Sequence, residues 1–123
     1  MRWGRIVAGG FLAEVALIVF AIPALAFGGQ TILNWTAVIG SAATSFAAAL
    51  WVTRRLDSRF ALHGALTGLT AALIYIALIV ASGQTQPLIY WVAHGLKIVG
   101  GAAGGMLAAR RMTSAGRVAR ASV

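Results

Sequence analysis

Four long apolar runs, separated by short polar or glycine-containing breaks, set the pattern of the chain. The runs cover residues 6–27, 32–53, 60–82 and 88–109. Each has the length needed to cross a hydrocarbon core of about 30 Å at about 1.5 Å per residue. Within lipid the backbone must satisfy its own hydrogen bonds, so the runs predict helices. The expected fold class is therefore all-α, a polytopic membrane four-helix bundle within a single transmembrane domain spanning residues 1–123.

The polar breaks are of two kinds. Gly28–Thr31 and Gly83–Pro87 carry no charge, whereas all nine arginines lie in the other three extramembrane pieces, at Arg2, Arg5, Arg54, Arg55, Arg59, Arg110, Arg111, Arg117 and Arg120. Cytoplasmic segments concentrate basic residues, so both termini are expected in the cytoplasm of a multi-pass inner-membrane protein. Trp35, Tyr90 and Trp91 fall at the expected outer boundary and Trp3 and Trp51 near the inner one, matching an interfacial aromatic belt. Arg2, Arg5, the apolar stretch and Ala24-Leu25-Ala26 also mimic a cleavable signal peptide. Glu14 interrupts that stretch and the run is long, so an uncleaved first span is expected.

Composition agrees with this reading. The chain is 60% hydrophobic and only 10% charged, with a mean hydropathy of +0.89. A water-facing domain carries about 25% charged residues. The net charge of +8 sits outside the apolar runs, where it marks topology and contacts to lipid phosphate and gives no nucleic-acid surface. The absence of cysteine removes disulfide and thiolate chemistry.

A shift of 56 residues superposes the two halves. Gln30 falls on Gln86, Trp35 on Trp91, Ala37 on Ala93, Ala16-Leu17-Ile18 on Ala72-Leu73-Ile74, and Arg54-Arg55 on Arg110-Arg111. Two tandem helical hairpins are expected, residues 1–56 and 57–112, forming a parallel internal repeat about an axis along the membrane normal. A basic tail, residues 113–123, is expected to fray and to rest on anionic headgroups.

Polar and small residues recur at helical spacing within the runs. Ser41 heads such a stripe in the second run, and His63, Thr67 and Thr70, flanked by Gly64 and Gly68, form one in the third. The fourth run holds His94, Lys97 and two overlapping GxxxG pairs, Gly100–Gly104 and Gly101–Gly105. Such glycines let backbones approach closely; the occupant of that face is another helix of the bundle, a second copy or a lipid.

Glu14 and Lys97 are the two charges deep in the apolar runs. A charge at the bilayer centre costs at least about 2.5–3.5 kcal/mol on insertion scales, so each needs a partner or a wet cavity. Counted from the arginine-side ends of their runs, Glu14 lies about 13 Å deep and Lys97 about 20 Å. Side chains lean toward the helix N-terminus, which on this count carries the two apart. Three readings stand: a direct pair, Lys97 snorkelling outward toward His94, or an ion path. His63 and His94 lie near opposite interfaces and are expected to hydrogen-bond there without sharing a metal. No nucleophile, carboxylate-pair or phosphate-loop motif occurs, so no enzyme, cofactor or metal is expected.

Two resemblances bear on these residues. Ala8-Gly9-Gly10-Phe11-Leu12-Ala13-Glu14-Val15 resembles the first helix of small multidrug resistance transporters, which implies that Glu14 would bind protons and cationic substrates. Across more of the chain, Arg54-Arg55, His63-Gly64, Gly68, Gly100-Gly101, Gly104-Gly105 and Arg110-Arg111 are similar to YrzE-like bacterial proteins. That resemblance implies a four-span topology and no activity. The expectation is a structural or accessory membrane protein in the lipid bilayer, as a homo-oligomer or a subunit of a larger complex. The alternative is a proton-coupled transporter or channel using Glu14.

Overall fold

With water absent from the bilayer core, every backbone N–H must find its partner along the chain, and helix is the result. The computed structural model describes residues 3–54, 56 and 58–121, with side chains through residue 114. Arg2 and Arg55, and the side chains of Arg117 and Arg120, lie outside that description. Three helices account for nearly all of it: α1 (Trp3–Thr53), α2 (Phe60–Ser82) and α3 (Leu88–Ala121). All three are long and apolar enough to cross a membrane.

The count is three where the apolar pattern predicts four. The difference lies at Gly28–Thr31, where helical geometry continues except at Gly29, with φ 66° and ψ −166°. Only glycine occupies that region without strain. The expected spans 6–27 and 32–53 are thus two arms of α1. Gly9 in the first arm faces Ala48 and Val52 in the second, and Gly40 faces Leu17, so the arms run antiparallel.

At the other neutral break Gly83 adopts a left-handed conformation (φ 67°), and its amide donates to the Val80 carbonyl to close α2. α2 keeps its expected bounds. α3 does not: it continues from residue 109 through Ala121, so the segment expected to fray is helical as far as that residue, and residues 122–123 lie outside the described ones. Four and five residues beyond the expected inner boundary, the Thr113 and Ser114 hydroxyls donate to carbonyls of their own helix, those of Ala109 and Arg110.

Close approach of backbones fixes the packing. Against α2, Gly101 of α3 meets Gly64, Gly105 meets Phe60, and Gly68 meets the Lys97 carbonyl. Against the second arm of α1, a Cβ on Gly100 would lie 2.5 Å from the Ala42 carbonyl oxygen, and one on Gly104 the same distance from that of Phe46. The α3 glycine face is therefore filled from both sides by this chain. Pairs 60/105 and 64/101 make α2 and α3 antiparallel, while 42/100 and 46/104 make the second arm parallel to α3.

The core is small and the surface large. Ala13, Ala49, Ala71, Ala72 and Ala93 are buried, whereas Phe20, Ile22, Phe27 and Val80 are at least 60% exposed. Water would penalise that arrangement; lipid rewards it, because association there depends on close packing and not on apolar burial.

Candidate functional site

The parallel and antiparallel contacts place the two buried charges at defined heights. Gly10 of α1 meets Thr70 and Ala71 of α2, so Glu14, one turn on, stands level with about residue 74. Lys97 stands level with Gly68. The Lys97 backbone is thus nearer the arginine-bearing end by about six residues, or about 9 Å. Leaning toward their own N-termini now carries the side chains together. The depth count from the ends of the apolar runs has the opposite sign, because α3 continues past residue 109 and that boundary marks no height.

Lys97 Nζ donates to Glu14 Oε1 in a buried ion pair. Relative exposures of 1% for Lys97 and 3% for Glu14 exclude snorkelling to the surface. The Tyr75 ring centroid lies 4.8 Å from Nζ, adding a cation–π contact. Each charge supplies the counter-charge that the other needs in a low-dielectric interior. Glu14 Oε2 has no hydrogen-bond partner among the described residues.

A cavity of about 110 Å³ lies on the Gly29/Gly83 side of the pair. It is lined by Leu17, Ala37 and Ser41 from the two arms of α1, by Tyr75 from α2, and by His94 and Lys97 from α3. All four helical segments therefore contribute a wall. Ser41 is 1% exposed, and among the described residues its hydroxyl has no partner, nor has that of Ser45 one turn below. The His94 ring packs at a tilt of 53° against Tyr75, with centroids 5.1 Å apart, and edge-on to Trp91 at 5.8 Å. Its Nε2 is 3.4 Å from Gln86 Oε1, and Nδ1 has no partner among the described residues. Tyr90, also in the lining, points its hydroxyl toward Asn34 Oδ1 at 3.5 Å.

The remaining polar residues stay within their own helix. Thr67 and Thr70 donate to the His63 and Leu66 carbonyls, each at 2.8 Å. His63, at the opposite end from His94, donates through Nδ1 to the Arg59 carbonyl at 2.9 Å as the Nδ1–H tautomer. Arg59 holds that carbonyl in place with a left-handed backbone (φ 55°) at the head of α2. Among the described residues no three His, Cys, Asp or Glu converge as a metal site. A second cleft, of about 190 Å³ at the arginine end, is lined by Leu50, Thr53, Arg54, Ala108, Arg111 and Met112.

Tyr75 and Asn34 escape sequence reasoning. A lone tyrosine in an apolar run carries no periodic signal, and its role appears only once Lys97 and His94 flank it. No protein-family model, curated protein or solved structure matches this chain.

Proposed function

We propose that this chain is a four-span inner-membrane protein of structural or accessory type, with both termini cytoplasmic and the Glu14–Lys97 pair acting as a lock between the first and last spans. The two arms of α1 serve as separate spans in this reading, because Gly29 interrupts the helix and the arms run antiparallel. The arginine distribution supports the orientation. A duplicated hairpin gains support from two sets of equivalent positions, 56 residues apart, that lie beside one another: Asn34 with Tyr90, and Ser41 with Lys97 in one cavity wall.

The observation that carries the structural role is the mutual burial of Glu14 and Lys97. Each satisfies the other, and removing either leaves a charge uncompensated in a low-dielectric site. The connections between the spans are too short to carry an enzyme. With the α3 glycines filled internally, a second copy or a larger complex would dock on the outward apolar faces. Arg54 and Arg111 in their cleft suit anionic headgroups.

Proton flux into liposomes carrying the purified protein, followed with an entrapped pH-sensitive dye, tests this role. Wild type and Glu14→Gln are expected to leak alike. A flux present in wild type and lost in Glu14→Gln would contradict the lock and favour the second reading, a proton-coupled transporter or channel. That reading draws on the cavity ending at Lys97 and on the resemblance of residues 8–15 to small multidrug resistance transporters.

A further inference from the structure

The cavity above the ion pair is built from groups whose chemistry is only partly used within the protein. Lys97 has three N–H donors and gives one to Glu14. Ser41, buried and in the cavity wall, has a hydroxyl with no partner among the described residues. A buried polar group left unmatched costs about 1–3 kcal/mol, so a partner from outside the chain is favoured there. Lys97 lines the cavity and Glu14 does not, so the charge turned toward it is positive. Apart from Tyr75, Tyr90 and His94, the rest of the wall is aliphatic, Leu17, Leu33 and Ala37 among it.

Size narrows the class further. A volume of about 110 Å³ exceeds severalfold the 10–15 Å³ or so that one water requires. A molecule of about six heavy atoms fits; a drug-sized one does not, since such ligands occupy pockets of about 300 Å³ or more. A small acceptor head with a short apolar chain matches both the donors and the walls.

We propose that this cavity is a binding site for a short-chain aliphatic monocarboxylate, its head group held by Lys97 and Ser41 and its chain lying against Leu17, Leu33 and Ala37. The site rests on the lock, because it requires the Lys97 position that the pair enforces, but it does not require that any ligand cross the membrane.

Butyrate is a suitable probe. The full chain in lipid nanodiscs would be melted with increasing sodium butyrate, butyramide, butylammonium chloride or sodium chloride at matched ionic strength. A ligand that binds the folded state raises the melting temperature saturably. The expected result is a saturable rise with butyrate alone. Ser41→Ala, which removes the donor and keeps the shape, should raise the half-saturating concentration about tenfold. Ala37→Leu, which fills the cavity, should abolish the response; if that variant fails to fold, Ser41→Ala decides. An equal rise with butyramide, butylammonium or chloride would overturn the carboxylate assignment. No rise with butyrate, or a response undiminished in Ser41→Ala, would overturn the site.

Discussion

Gly95 and Gly101 lie on the same helix, and only their neighbours distinguish them. A Cβ at Gly95 would meet nothing within 4 Å, whereas one at Gly101 would run into the Gly64 carbonyl and come within 3.2 Å of the Gly68 amide nitrogen. Gly95→Ala should therefore be neutral or stabilising by up to about 1 kcal/mol, from helix propensity alone. Gly101→Ala must push α2 and α3 apart and should destabilise by about 1–3 kcal/mol. Denaturation curves of the two variants in detergent would check the contrast, and equal effects would contradict the packing. Spacing within the fourth apolar run marks Gly100, Gly101, Gly104 and Gly105 as a packing face, but not its occupant. The occupant depends on the height of α2 relative to α3, which no local pattern encodes. The same holds for Ser41, whose polarity is plain in the sequence and whose cavity is not.

At the scale of the element, Gly29 decides how α1 is read. One residue outside helical geometry, with antiparallel arms on either side, separates two stretches that each suffice to cross a bilayer. Because the chain has no cysteine, single introduced cysteines report the sidedness of each break cleanly. Thr31→Cys and Gln84→Cys, both at exposed positions, should react with a membrane-impermeant maleimide in intact cells. Ser58→Cys and Ser114→Cys should react only after permeabilisation. Labelling of Gln84→Cys without Thr31→Cys would mean that α1 does not cross twice. Hydrophobic periodicity located α2 to its end residues, since charge and glycine bracket it on both sides. It missed the continuation of α3 through residue 121, because helix need not stop where lipid does: Ala, Arg and Met sustain it in water.

Among the described residues, large side chains face outward, small ones meet at the core, and one ion pair crosses between the first arm of α1 and α3. The identity of the charged pair was legible from the sequence, because two charges in otherwise apolar runs each need a partner. Their union is one of three readings that the sequence leaves open, since relative helix heights depend on where glycines allow backbones to interlock. Here Gly10 against Thr70 and Gly68 against Lys97 bring the heads together.

The most direct test is a double-mutant cycle on Glu14→Gln and Lys97→Met, with unfolding free energies measured in one detergent. If the pair is the lock, each single variant is destabilised, the double variant is less destabilised than their sum, and the coupling is about 1–3 kcal/mol. Strict additivity of the two changes would show that Glu14 and Lys97 do not act on each other, and the account of the bundle would fail at its centre.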